Sequence, residues 1–153
     1  CGPSLKADEL MQLIAILNPR NEEGRLTLIS RMGHEKINDL LPPLVEKVKA
    51  EGLKVVWCCD PMHGNTITAK NGFKTRPFDS IVSEVKKFFA VHASLGTVAG
   101  GVHFELTGKD VTECIGGDQA ILEEHLSEGM YETLCDPRLN ATQALELAFQ
   151  LGE

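Results

Sequence analysis

Apolar residues along this chain change spacing in turn, from helical to extended and back. Leu10, Leu13, Ile14 and Leu17 share one helical face over residues 8–17, behind Asp8 as N-cap, and Asn18-Pro19 stops them. Leu26-Thr27-Leu28-Ile29 reads as a short strand. Leu41, Leu44, Val45 and Val48 form the next helical stripe, with Pro42 and Pro43 in its first turn. Lys54-Val55-Val56-Trp57-Cys58 is strand-like, and a long polar loop follows it. Asp79 or Ser80 caps a helix whose inner face is Ile81, Val85, Phe88 and Phe89. Val98–Leu106 is extended, although Gly100-Gly101 weakens it. Asp118 opens a short helix through Leu126, and Tyr131–Cys135 is the last strand. Asn140, with Gln143 three residues on, forms a capping box for a final helix to about Leu151.

This alternation predicts an α/β fold with parallel strands, buried on both faces, and helices outside. With 153 residues and no low-complexity segment or linker, residues 1–153 read as a single domain. Fifteen basic against twenty-two acidic residues give a net charge of −7, which argues against nucleic acid or an anionic membrane as the main partner. Small anionic ligands stay open, because a few cations at one pocket outweigh the global sum locally. The N-terminal CGPSLKADEL has no signal-peptide layout, and no apolar run approaches the roughly 18 residues of a membrane span. Five unevenly spaced cysteines suggest reduced thiols in a cytoplasm-like compartment rather than a disulfide framework.

In parallel α/β folds, ligands bind beyond the carboxyl ends of the strands. Those ends carry Ser30-Arg31-Met32-Gly33-His34, Asp60-Pro61-Met62-His63-Gly64-Asn65-Thr66, His103-Phe104-Glu105-Leu106 and Cys135-Asp136-Pro137-Arg138. One imidazole and two carboxylates, His63, Glu105 and Asp136, suit a divalent ion such as Mn²⁺, Fe²⁺, Co²⁺ or Zn²⁺. Arg31, Lys74, Arg76 and Arg138 are the candidate anion-binding charges, Arg forks matching phosphate or carboxylate. A strand-end carboxylate serves equally as a helix cap or a loop ion pair. His103 is either an outer partner of the site or a packed core histidine, and His92 and His125 read as surface or packing residues.

The stretches GRLTLISRMG, VVWCCDPMHGNT, KTRPFDSI, AGGVHFELTGKDVTECIGG and CDPRLNATQALELAF closely resemble the type II (plant-type) 3-deoxy-D-arabino-heptulosonate 7-phosphate (DAHP) synthases. The resemblance runs from about Gly2 to Glu153. It implies a (β/α)₈ TIM barrel, of which this chain covers about the last four βα units, a half-barrel. It also implies a transferase that condenses phosphoenolpyruvate with erythrose 4-phosphate, giving DAHP and phosphate at the head of the shikimate pathway. The family's metal, Mn²⁺ or Co²⁺, is held by a cysteine, a histidine, a glutamate and an aspartate. The last three correspond to His63, Glu105 and Asp136. Arg31 corresponds to an arginine that holds phosphoenolpyruvate. Lys74 and Arg76 lie in the family's active-site loop as substrate-binding residues, and Arg31, His63 and Lys74 are the catalytic candidates.

The family's metal cysteine belongs to a Gln-x-Gly-Asp-Cys-Ala-Glu pattern, and no such string occurs here. The resemblance therefore implies an N-terminal half of the same enzyme as partner, alongside the two substrates and a homo-oligomer, and an isolated chain without activity. The implied compartment is the bacterial cytoplasm, or a plastid for a plant protein. Two other readings stand beside it. One is a non-catalytic half-barrel module that binds metal or phosphate and self-associates. The other is a different metal-dependent aldolase or hydrolase on the same strand ends.

Overall fold

Three short apolar runs pair in parallel and set the frame of the molecule. The computed structural model describes residues 1–127 and 129–152, so Glu128 and Glu153 of the expected domain lie outside the described residues. Strands β1 (Thr27–Ser30), β2 (Val56–Cys59) and β5 (Gly101–Val102) form one sheet in the order β1-β2-β5. Leu28 stands beside Trp57, and Cys59 beside Val102. Parallel neighbours need a crossover. Helix α2 (Ile37–Ala50) supplies it between β1 and β2, and α3 (Phe78–Ser94) between β2 and β5. Helix α1 (Ala7–Leu17) precedes the sheet and α4 (Ala141–Gly152) follows it. Leu10, Ile14, Leu28, Leu41, Val45, Trp57 and Phe88 join α1, α2 and α3 to one face of the sheet in a shared core. A second cluster, with Met62, Phe78, Ile81, Leu139 and Leu147, packs α3 against α4.

The helices form where the apolar pattern places them, with corrected starts, but Leu13 and Leu17 on α1 and Phe89 on α3 are exposed rather than on the buried face. Lys6 rather than Asp8 precedes α1, its N–H bonded to Glu9 Oε2 at 3.0 Å. Pro77 precedes α3, which puts Asp79 in the first turn, where it faces the positive end of the helix dipole. Helix α2 begins four residues before Leu41, so Pro42 and Pro43 sit inside it. Their missing N–H groups leave the carbonyls of Asn38 and Asp39 without helical partners, and both residues are exposed to water. The capping box of α4 is present: Gln143 N–H donates to Asn140 Oδ1 at 2.9 Å, and Asn140 N–H to Gln143 Oε1 at 3.2 Å.

The extended segments depart further from expectation. The sheet is not buried on both faces, since Ile29 is 41% exposed on the side the helices leave open. Gly101–Val102 is all that remains of the strand over 98–106. Gly100 there packs so closely on β2 that a Cβ would stand 2.8 Å from the Trp57 carbonyl. Only a short 3₁₀ turn, Glu123–His125, replaces the helix expected over 118–126. Tyr131–Cys135 forms no strand; the next parallel pairing is a single contact between Leu106 and Leu139. The polar loop after β2 contains an antiparallel hairpin, β3 (Ile67–Thr68) and β4 (Lys74–Thr75).

Two features of this packing have measurable consequences. The loops after β1 and β2 cross at Gly33 and Gly64, where a Cβ on Gly64 would lie 2.5 Å from the Gly33 nitrogen. Gly64→Ala should therefore destabilise the chain by about 2 kcal/mol through overpacking, read as a lower urea midpoint at unchanged m-value. His92 is buried between Trp57 and Phe88, with ring centroids 5.7 and 4.6 Å away. Its Nδ1 reaches Thr97 Oγ1 at 2.8 Å, while Nε2 has no partner. Burial holds the imidazole below its ordinary value of 6.5, so the folded state binds the proton more weakly than the unfolded one. The stability this contributes is complete above pH 6.5 and is lost as pH falls below it. Urea titrations followed by the fluorescence of Trp57 should show that loss between pH 7.5 and 5.5, and His92→Gln should remove it.

Candidate functional site

Parallel pairing brings the carboxyl ends of β1, β2 and β5 to one edge of the sheet, and the polar residues after them meet there. His63 lies on a 3₁₀ turn directly after β2. Asp60 builds that turn: its Oδ1 accepts the N–H groups of Met62 at 2.9 Å and His63 at 3.2 Å. Its Oδ2 stands 2.6 Å from His63 Nδ1. With that nitrogen's proton held by the carboxylate, Nε2 is left as the coordinating or accepting atom. Nε2 is 3.6 Å from Glu105 Oε1.

His63, Glu105 and Asp136 each offer one donor atom, and these atoms lie within 4.8 Å of one another. One nitrogen and two carboxylate oxygens are a donor set for a divalent ion of intermediate hardness. Three separate chain segments supply them, and each donor residue has a partner of its own. Arg76 is fully buried and bonds Glu105 Oε2 through Nη1, which also donates to the Pro137 carbonyl at 2.6 Å. Its Nε donates to Thr66 Oγ1 at 2.8 Å, and Nη2 is buried without a partner. Lys74, on β4, reaches Asp136 Oδ1 at 3.3 Å, and its own carbonyl accepts the Tyr131 hydroxyl at 2.9 Å.

A cavity of about 650 Å³ opens beside these groups, lined by Arg31, His63, Lys74, Ser80 and Asp136 among others. Arg31 stands at its wall with an exposed side chain, directly after β1. Arg76 belongs instead beneath Glu105, where its guanidinium has no solvent exposure. Arg138 is not available as an anion-binding charge. Its Nε and Nη2 grip the two oxygens of buried Glu113 at 2.9 and 2.7 Å. That carboxylate also accepts the N–H groups of Glu132, Thr133 and Arg138. Burial pushes the Glu113 carboxyl up, but the bonds and charge of Arg138 outweigh it and hold it below the usual carboxylate range. The pair thus fixes the loop that carries Asp136. His103 is exposed, which overturns its reading as a packed core histidine.

No cysteine stands with the three donors among the described residues. Burial pushes the Cys59 thiol far up and the Cys114 thiol up to about 12, so neither offers a thiolate near neutral pH. The parts played by three residues were not read from the sequence. Asp60 has a signal, an Asp three residues before the His in a turn. Glu84 falls at helical spacing among Ile81, Val85 and Phe88, so a carboxylate on an inward stripe marks it. Glu113 sits in irregular chain, where no periodicity applies.

Two of the curated relatives are named as one enzyme and are much longer than this chain. Phospho-2-dehydro-3-deoxyheptonate aldolase AroG of Mycolicibacterium smegmatis is 55% identical over 99% of this chain, which spans 32% of that protein. The phospho-2-dehydro-3-deoxyheptonate aldolase of Streptomyces coelicolor is 58% identical over 99% of the chain, which spans 34% of it. The chain thus spans about a third of their length. A shorter Streptomyces lividans protein of the same name is 54% identical, with 94% of this chain and 97% of that protein covered. The profile of the class-II DAHP synthetase family matches residues 1–152, and the chain belongs to that family.

Proposed function

We propose that the chain supplies the C-terminal catalytic part of a DAHP synthase, in which phosphoenolpyruvate and erythrose 4-phosphate condense to DAHP and phosphate. The observation that carries the reading is the convergence of His63, Glu105 and Asp136 beside a cavity walled by Arg31 and Lys74. Successive parallel neighbours β1, β2 and β5, then Leu106 beside Leu139, support four of the eight βα units of a TIM barrel. Residues 1–153 are then one half-barrel unit. The remaining length of the relatives supplies the other half, including the metal cysteine. Ile29, together with Leu13 and Ile16 on α1, supports a covering partner of that kind, being 41%, 46% and 74% exposed. The assembled enzyme is a homo-oligomer of the bacterial cytoplasm. No helix among the described residues is long and apolar enough to cross a membrane.

In this reading His63, Glu105 and Asp136 hold a divalent ion, Mn²⁺ or Co²⁺. When bound, such an ion polarises a carbonyl oxygen as a Lewis acid. The chain's own residues do the rest of the work attributed to this part of the enzyme. Asp60 keeps the His63 proton on Nδ1, so that Nε2 is a free lone pair. Arg76 orients Glu105 and sets a positive charge against its Oε2. Arg31 presents a fork for the phosphate or carboxylate of phosphoenolpyruvate, holding it in place for attack. Lys74 adds an ammonium beside Asp136, close enough to follow a substrate anion in the same cavity. A cavity of about 650 Å³ is of the size that takes small phosphorylated substrates.

Calorimetric titration with Mn²⁺ tests the ligand set directly. The chain should bind one ion, and His63→Ala should abolish the binding. Asp60→Asn should weaken it by about 10–100-fold while the fold persists, because the outer partner sets the tautomer. Unchanged Mn²⁺ affinity in His63→Ala would contradict the assignment.

A further inference from the structure

Helix α3 carries one buried carboxylate that the proposed chemistry leaves unused. Glu84 lies in the second turn of α3 with no solvent exposure, and its two oxygens face two different strand ends. Oε1 accepts the N–H groups of Met32 at 2.9 Å and Gly33 at 3.0 Å, in the loop after β1. Oε2 accepts the side-chain amide of Asn65 at 2.6 Å, in the turn after β2. A buried carboxylate is costly unless donors meet it, and here three donors from two loops do so. Burial nevertheless pushes the Glu84 carboxyl up, and the bonds from Gly33, Met32 and Asn65 pull it back.

The direction of the Asn65 amide follows from its neighbours. Its Nδ2 also donates to the Pro61 carbonyl at 2.7 Å, which can only accept. Its Oδ1 therefore faces the other way, where it accepts the His34 N–H at 3.0 Å and stands 2.8 Å from His34 Nδ1. The two loops also touch through Gly33 and Gly64, with no room for a Cβ between them.

We propose that Glu84 is a positioning residue that locks the loop bearing Arg31 and the turn bearing His63 into one unit. The anion-binding and metal-binding sides of the cavity then keep a fixed spacing. What those loops bind rests on the function proposed above; the lock itself does not. Glu84→Gln keeps the shape but offers only one oxygen. If that oxygen stays on Met32 and Gly33, the new NH₂ group meets the NH₂ of Asn65. Asn65 cannot turn over without presenting its oxygen to Pro61 O and its NH₂ to the His34 N–H. One side of the lock must open.

The test compares the wild-type chain with Glu84→Gln and with Val91→Ala, a core substitution two turns further along α3. Amide hydrogen exchange by NMR and titrations with Mn²⁺ and inorganic phosphate are read on each. In Glu84→Gln, exchange at Met32 and Gly33 should rise about tenfold. Mn²⁺ and phosphate affinities should fall together, by about tenfold for the metal. Val91→Ala should lower the melting temperature without either effect. Wild-type exchange at Met32 and Gly33 in Glu84→Gln would overturn the lock, as would the same pattern in Val91→Ala. Should Glu84→Gln not fold, Asn65→Ser cuts the lock from its other side, and both affinities should again fall together. If the wild-type chain binds no Mn²⁺, the proposed function fails while the exchange result still decides the lock.

Discussion

Parallel strand pairing is the constraint from which the rest of this structure follows. It places the carboxyl ends of β1, β2 and β5 along one edge, so that whatever follows each strand must share the same space. Arg31 and His63, far apart in sequence, line one cavity only because of that geometry, and it likewise brings Glu105 to His63. The crossover helices that parallel pairing requires cover one face of the sheet. They also deliver Glu84 beneath the loops, where a carboxylate could not survive without the backbone donors of Met32 and Gly33. Fold and site are in this sense one arrangement.

The polar groups divide into those that face the cavity and those that hold others in place. Arg76, Glu84 and Glu113 are fully buried, and each is committed to partners in another loop. Their desolvation is costly, and it is offset because nearly every donor and acceptor is matched. The exception is Arg76 Nη2, buried without a partner directly beneath Glu105. Lys74 and Asp136 differ, being side chains 57% and 31% exposed, and an ion pair so placed contributes little stability. Such a loose pair can rearrange when a ligand arrives, whereas the buried pairs stay fixed.

Much of this was legible in the sequence. Helical periodicity located α1, α2 and α3, because each buries an apolar stripe, and Asn140 with Gln143 announced α4 by its capping chemistry. β1 and β2 were legible from short β-branched runs. Irregular chain was harder to read. The described residues between 103 and 139 run through turns and single pairings such as Leu106 with Leu139, held by side chains like Glu113 that follow no period. The strand and helix expected there, over 131–135 and 118–126, do not form. The residues after each strand were identifiable as site candidates from chemistry alone. Their division of labour was not, since only tertiary structure shows that Arg138 is taken by Glu113 and Arg76 by Glu105.

In the function proposed above, this chain carries part of a metal-dependent synthase site that the rest of the relatives' length completes. The most direct test of that function is phosphate release from phosphoenolpyruvate and erythrose 4-phosphate with Mn²⁺ present. The assay mixes the chain with a separately produced polypeptide comprising the part of the Mycolicibacterium smegmatis relative that the chain does not span. Neither piece alone should turn over, and the two together should show Mn²⁺-dependent turnover. Turnover by the chain alone, or none from a stable complex of the two, would rule out a site shared between the two pieces.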